Sequence, residues 1–126
     1  MKSKLFVFLL AAGLLLSLAA CAPKGPTVIH VTLTEFKVTI DRTSVPAGPV
    51  TFEITNNGAI EHELVLEAAG SHDEPFELNG VESEKEAIQP GTTVSFDWTL
   101  EPGEYQLSCY VPGHFEAGMH TTFTVE

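Results

Sequence analysis

From Val28 onward, apolar residues alternate with polar ones along most of the chain. The apolar members of each run share one face, and polar residues fill the positions between them. A repeat of two residues is typical of β-strands that bury one face and expose the other to water. The apolar positions are Val31, Leu33, Phe52, Ile54, Leu64, Leu66, Val94, Phe96, Trp98, Leu100, Tyr105, Leu107, Phe123 and Val125. This alternation predicts a fold made of β-strands.

Turn-forming sequences separate the alternating runs. They read SVPAGP at 44–49, NNG at 56–58, and PG at both 90–91 and 102–103. Glycine, proline and asparagine favour the backbone angles of tight turns. Several short strands separated in this way predict an all-β, antiparallel sandwich or barrel.

Residues 67–89 interrupt this pattern. Their sequence, EAAGSHDEPFELNGVESEKEAIQ, is acidic and lacks alternation. We interpret it as one long acidic connection between strands, with a single helical turn near Glu82–Ala87. Connections of this length are uncommon in compact domains and are often functional or mobile.

The amino-terminal 20 residues resemble a bacterial export signal. Lys2 and Lys4 precede an apolar stretch that ends at Ala20. That stretch is short for a stable membrane span, which needs about 20 apolar residues. The sequence LAAC at 18–21 resembles the lipobox of bacterial lipoproteins, in which the cysteine is lipidated after cleavage.

This interpretation divides the chain into a signal peptide at 1–20, a lipidated Cys21 with a tether over 21–27, and one domain over 28–126. The mature protein would be exported and lipid-anchored to the outer side of a membrane, in the periplasm or at the cell surface. An ordinary export signal with an incidental cysteine is the alternative.

Acidic residues dominate the charge of the chain. It has 17 Asp and Glu against six Lys and Arg, for a net charge of −11. Without residues 1–20, four Lys and Arg remain against the same 17 acids, for a net charge of −13. This charge disfavours nucleic acid as a partner, because phosphate backbones require a basic surface. It favours docking to a basic protein, although solubility alone would also explain it.

The stretch CYVPGHFEAGMH at 109–120 concentrates residues that bind metals. Alternation continues from Leu107 to Cys109, which predicts an inward-pointing thiol at the end of a strand. The same alternation predicts that His62 points inward at the start of another strand. The turn after Cys109 then delivers His114, and a second turn delivers Met119.

Simpler explanations compete for each of these residues. Cys109 could be a buried structural cysteine, a common role for free thiols, and Met119 could be core filler. His120 is predicted to face away from Met119 on the last strand, although a second, weaker metal site using it is an alternative. His72 lies in the acidic connection, where it either binds a surface metal weakly or is simply solvated.

A thiolate, two imidazoles and a weak axial thioether form the ligand set of blue-copper electron-transfer sites. The sequences NNGAIEHEL at 56–64 and CYVPGHFEAGM at 109–119, followed by TTFTV, resemble those of cupredoxins of the plastocyanin, azurin and auracyanin group. The resemblance implies a Greek-key β-sandwich that binds one copper ion and cycles it between Cu(I) and Cu(II). By position, it implies the ligands His62, Cys109, His114 and axial Met119.

Two positions depart from the pattern of many relatives. Glu63 stands where an asparagine braces the cysteine loop, and Tyr110 stands where serine or threonine follows the cysteine. We expect Glu61 and Glu63 to face water. Because residues behind the ligands tune a metal, the reduction potential cannot be transferred from a relative.

The sequence lacks the patterns of catalytic relatives. Cys109 has no histidine beside it, and the loop has a single cysteine, which disfavours oxidase, nitrite reductase and binuclear copper sites. No G-x-S-x-G, P-loop or H-E-x-x-H sequence occurs. We therefore expect a protein that is not an enzyme.

The favoured function is a monomeric single-electron carrier outside the cytoplasmic membrane. Its partner would be a redox protein with a basic surface, such as a cytochrome or an oxidase. Electrons would pass through His114, surrounded by the apolar residues Val111, Pro112, Phe115 and Ala117. A lipoprotein that delivers or stores copper, or a structural module that has lost copper, are the alternatives.

Overall fold

The computed structural model describes residues 25–126, so the predicted signal peptide and the predicted lipidation site at Cys21 lie outside the described residues. Within this range the chain forms eleven strands. They are β1 (Thr27–Thr34), β2 (Lys37–Ile40), β3 (Ser44–Val45), β4 (Gly48–Asn56), β5 (His62–Ala68), β6 (Glu77–Leu78), β7 (Val81–Glu82), β8 (Glu84–Ile88), β9 (Thr93–Leu100), β10 (Gly103–Ser108) and β11 (His120–Val125).

Two sheets face one another. One has the strand order β2-β1-β4-β9, the other has the order β3-β11-β10-β5-β8, and β6 and β7 form a separate small hairpin. Most neighbouring strands are antiparallel, but β1 is parallel to β4 and β3 is parallel to β11. The prediction of an all-β sandwich is therefore confirmed. The sheets are not purely antiparallel, because each contains one parallel pair.

The core fills the space between the two sheets. Side chains at the alternating positions enter it, and most are fully buried, among them Ile29, Leu33, Phe52, Ile54, Leu64, Leu66, Leu107 and Phe123. Val94, Phe96 and Trp98 are only partly buried, because β9 is an edge strand of its sheet. Burial of this apolar surface is the main stabilising term, at about 25 cal/mol per Å².

The interpretation of residues 67–89 as one long connection with a single helical turn was wrong. This segment contains β6, β7 and β8, and the predicted helical turn near Glu82–Ala87 is replaced by strand. β8 pairs with β5 through a bulge, because His62 faces Ile88 whereas Leu64 faces Lys85. The local sequence did not indicate this strand, since its hydrogen-bond partners lie some twenty residues away in β5.

No helix within residues 25–126 is long and apolar enough to cross a membrane.

Candidate metal centre

His62, Cys109 and His114 meet at one end of the sandwich. One potential ligand atom from each lies within 4.8 Å of the others. The Cys109 Sγ is 3.6 Å from the His114 Nδ1, and the two imidazole rings are 5.1 Å apart between centroids. His62 and Cys109 are fully buried and His114 is 5% exposed. Cys109 and His114 come from one loop. His62 is the first residue of β5, 47 residues before Cys109 in the chain.

Asn56 shapes the turn that delivers His62. Its buried amide donates to the carbonyl oxygens of Ile60 and Ile88, both at 2.8 Å, and accepts from the backbone N–H of Gly58 at 2.8 Å. These bonds close residues 56–60 into a compact turn ahead of β5. The first residue of β5 is His62, so the turn fixes where its imidazole enters the protein.

The loop that carries the other donors closes on itself through its backbone. The N–H of Cys109 donates to the carbonyl of Met119 at 3.0 Å, and the N–H of Met119 donates to the carbonyl of His114 at 3.0 Å. Gly113 and Gly118 have φ angles of 85° and 98°, a region that glycine enters without steric cost. The loop thus returns a fully buried Met119 to the ends of β10 and β11.

Glu63 braces this loop from the neighbouring strand. Its carboxylate accepts a hydrogen bond from the backbone N–H of Tyr110 at 2.7 Å. The expectation that Glu63 faces water was therefore wrong, because the side chain bridges β5 and the cysteine loop. Glu61 is exposed and bonds with Gln89 at the edge of the sheet.

Each of the three loop residues Cys109, His114 and Met119 is followed by a residue with a ring. Tyr110 and Phe115 stack at 4.9 Å, and Phe115 and His120 stack at 4.7 Å. The ring of His72 packs against Phe115 at 4.7 Å and against Tyr110 at 4.9 Å. His120 is exposed and lies outside the cluster of three donors, and His72 is an exposed ring held against the ligand loop.

A buried carboxylate supports the first ring of this stack. Glu67 is fully buried and accepts hydrogen bonds from the hydroxyl of Tyr110 and from the side chain of Gln106. Burial raises the pKa of Glu67, but these bonds and one from the N–H of Glu74 outweigh it and hold the pKa below its usual value. Burial and the carboxylate of Glu67 raise the pKa of Tyr110 to about 12.

The turn between β1 and β2 covers both histidines from the opposite sheet. A carboxylate oxygen of Glu35 lies 3.7 Å from the His62 Nε2. The ring of Phe36, 51% exposed, meets the ring of His114 edge-on at 5.4 Å between centroids. The sequence did not predict a role for either residue, because the alternating stretch HVTLTEFKVTI at 30–40 contains no glycine or proline to mark the turn.

Burial favours the neutral forms of His62 and Cys109. Burial and the neighbouring His114 lower the pKa of His62, whereas burial raises the pKa of Cys109. At neutral pH the cluster therefore holds an uncharged His62 imidazole and a protonated Cys109 thiol. A metal that binds there must displace the thiol proton, so its affinity rises with pH.

The cluster fits one copper ion. Among the buried side-chain nitrogen and oxygen atoms of residues 25–126, the two ring nitrogens of His62 are those without a hydrogen-bond partner. Leaving such atoms unpaired costs about 1–3 kcal/mol each unless a ligand satisfies them. A soft sulfur beside two imidazoles, with a buried thioether on the same loop, matches the preferences of copper in both oxidation states. His62, Cys109, His114 and Met119 have the arrangement of a type 1 copper site.

Residues 5–125 match the family model described as a cupredoxin-like domain. The chain is 31% identical over 107 residues to the copper-resistant cuproprotein CopI of Vibrio cholerae, covering 76% of this chain and 63% of that protein. The chain thus spans less than two thirds of the length of this relative.

Solved structures share the fold. Dithionite-reduced auracyanin from Roseiflexus castenholzii superposes with a TM-score of 0.62 at 20% identity, covering 81% of this chain and 99% of that one. Auracyanin A, a "blue" copper protein from Chloroflexus aurantiacus, superposes with a TM-score of 0.58 at 23% identity, covering 81% and 100%.

Proposed function

This chain belongs to the cupredoxin-like domain family, and from that premise we propose that it is a type 1 copper protein that carries single electrons outside the cytoplasmic membrane. The observation that carries the proposal is the buried cluster of His62, Cys109 and His114, whose ligand atoms lie within 4.8 Å of one another. Such a cluster, closed over by protein, suits electron transfer better than reaction with a bound substrate. The protein is accordingly proposed not to be an enzyme.

The residues proposed to hold copper are His62, Cys109, His114 and Met119. Copper held by these four residues would supply a one-electron couple between Cu(II) and Cu(I). The backbone bonds that tie Cys109 to Met119 and Met119 to His114 keep three donors in fixed positions. Because these donors cannot rearrange freely, the loop would limit the reorganisation that a change of oxidation state requires.

The proposed electron port is the surface above His114. The imidazole of His114 is nearly buried, and the exposed ring of Phe36 lies against it. Pro112 and Ala117 of the ligand loop are also exposed. A small apolar surface of this kind suits the brief, weak contacts of redox partners. Phe115, which the sequence also predicts at the port, is partly exposed and stacks with Tyr110 and His120.

The proposed partner is a redox protein with a basic surface, such as a cytochrome or an oxidase, and the carrier is proposed to act as a monomer. The net charge of −11 favours such a partner, because opposite charge accelerates diffusional encounter. Lipidation at Cys21 would hold the domain at the outer side of a membrane, in the periplasm or at the cell surface.

A second candidate function is copper handling, by delivery or storage. The similarity to a protein named as a copper-resistant cuproprotein favours it. The two functions differ in what happens on reduction. An electron carrier retains copper in both oxidation states, whereas a delivery protein releases it to an acceptor.

A visible spectrum tests the proposal. Cu(II) is added to the purified full chain, and the protein is then reduced with ascorbate and reoxidised. An intense thiolate-to-copper band that bleaches and returns supports the carrier. Absence of the band contradicts a type 1 site, and loss of copper on reduction favours handling. Cys109→Ser should abolish the band, whereas the matched control Cys21→Ser should retain it.

A further inference from the structure

The turn between β1 and β2 reaches across from one sheet to the donors on the other. Thr34 and Lys37 form the last register pair of the hairpin, so Glu35 and Phe36 are its two turn residues. Glu35 meets His62, and Phe36 meets His114. One two-residue turn therefore contacts both imidazoles of the metal centre.

The turn conformation, a hydrogen bond and the space at Gly58 together allow the carboxylate of Glu35 to lie close to His62. Its Oε1 accepts a hydrogen bond from the backbone N–H of Ala59 at 2.6 Å. Phe36 has a φ of 61°, a left-handed conformation that is strained for an aromatic residue and persists only where surrounding contacts impose it. A Cβ at Gly58 would lie 2.8 Å from the His62 Nε2 and would clash with the same carboxylate oxygen of Glu35. The close approach of the two side chains therefore requires glycine at position 58.

The carboxylate of Glu35 faces the Nε2 atom of His62. The 3.7 Å separation between the Glu35 Oε1 and the His62 Nε2 is longer than a hydrogen bond, but the attraction remains electrostatic at this distance. Neither ring nitrogen of His62 has a hydrogen-bond partner within residues 25–126, so the Glu35 carboxylate is the charged group that faces Nε2. A carboxylate facing Nε2 favours the tautomer that carries its proton there, which leaves Nδ1 free to donate to a metal.

We propose that Glu35 is a positioning residue of the copper centre, which fixes the Nε2–H tautomer of His62 and favours Cu(II) over Cu(I) through its negative charge. This inference rests on the proposed function, since it assumes that His62 is a ligand. Partners behind metal-bound histidines commonly change metal affinity 10- to 100-fold. The charge of Glu35 stabilises the more positive oxidation state, so it lowers the reduction potential.

Glu35→Gln tests this role with little structural disturbance, because the amide oxygen still accepts from the N–H of Ala59. Glu61→Gln is the matched control. It removes the same charge from the residue next to His62 in sequence, but the side chain of Glu61 is exposed and bonds with Gln89. Both variants are compared with the native chain in reduction potential, Cu(II) affinity and, in metal-free protein, the imidazole tautomers seen by nitrogen-15 NMR.

Glu35→Gln is expected to raise the reduction potential, to weaken Cu(II) binding about tenfold or more, and to reduce the Nε2–H tautomer of His62. Glu61→Gln is expected to match the native protein in all three. An unchanged potential and tautomer in Glu35→Gln, or equal shifts in both variants, would overturn the inference. If the native protein forms no thiolate-to-copper band, the proposed function fails, and the tautomer measured without metal still decides the role of Glu35.

Discussion

The carboxylate of Glu63 accepts a hydrogen bond at 2.7 Å from the backbone N–H of Tyr110, which joins the strand that carries His62 to the loop that carries Cys109. The two proposed ligands are thus linked through their immediate chain neighbours. A polar bridge at this position fixes the distance between two elements that share no ladder of backbone hydrogen bonds there.

Replacing Glu63 with alanine should loosen the ligand loop. The partly buried N–H of Tyr110 loses its acceptor, at a cost of about 1–2 kcal/mol in the free energy of unfolding, and copper binding should weaken about tenfold. Copper titration and chemical denaturation measure the two effects. Glu63→Gln keeps an acceptor oxygen and should recover most of the loss. Equal copper affinity in Glu63→Ala and the native protein would rule out the bridge as a determinant of the site.

Asn56 is expected to be the most sensitive turn residue ahead of His62. Asn56→Ala removes three hydrogen bonds, two of them to carbonyl groups of Ile60 and Ile88, and should lower the free energy of unfolding by about 2–4 kcal/mol. Urea denaturation measures this loss. Its neighbour Asn57 is exposed, so Asn57→Ala should change stability by less than about 0.5 kcal/mol. Similar losses in both variants would show that the buried amide is not what stabilises the turn.

Copper binding should stabilise the fold. Copper at 100 times its dissociation constant adds about 2.7 kcal/mol to the free energy of unfolding. For a domain of this size that corresponds to a rise in Tm of about 10–20 °C, measured by calorimetry with and without a chelator. Cys109→Ser should show little rise at the same copper concentration. A rise of the same size in that variant would mean that the metal binds elsewhere.

Glu84 should make stability depend on pH. Burial, followed by a hydrogen bond and charge repulsion from Glu82 and by the charges of Glu86 and Glu63, raises the pKa of Glu84 to about 7. Between its ordinary value of 4.5 and pH 7, the folded protein therefore binds a proton that the unfolded chain has released. The contribution of Glu84 to the free energy of unfolding is therefore fully present below pH 4.5 and is lost as the pH rises through 7.

Glu84→Gln tests this dependence in the metal-free protein. The variant should be more stable than the native protein at pH 8 by about 1–2 kcal/mol, after allowance for solvent screening of a partly exposed group. The two proteins should be equally stable at pH 4. Urea denaturation at both pH values measures the difference, and Glu101→Gln, on the turn between β9 and β10, serves as the control. A pH-independent difference between Glu84→Gln and the native protein would contradict the assignment.

Phe36 should control electron exchange without controlling copper binding. Phe36→Asn removes the ring above His114 but keeps a residue that tolerates a positive φ. If loss of the ring weakens the association of the encounter complex by about 1.4 kcal/mol, electron self-exchange should slow about tenfold. The rate is measured by NMR line broadening in mixtures of reduced and oxidised protein. Leu78, 62% exposed on β6, provides the control Leu78→Asn. Equal rates in the two variants would place the port elsewhere.

The sequence determined much of the fold and the proposed ligands. Alternation predicted the inward direction of His62 and Cys109, because successive side chains of a strand point to opposite faces. The same rule failed for residues 67–89. There the strand β8 forms because its backbone pairs with β5, and no local sequence pattern predicts that pairing.

The tertiary structure decided what surrounds the ligands. Glu35 and Phe36 belong to a turn in the other sheet, and 26 residues separate Phe36 from His62 in the chain. Glu63 contacts Tyr110 only because β5 and β10 lie side by side. The direction of a side chain within one strand follows from local geometry, whereas its neighbours across the sandwich depend on how the sheets are stacked. The four proposed ligands could therefore be predicted from sequence, whereas the side chains that contact them across the sandwich could not.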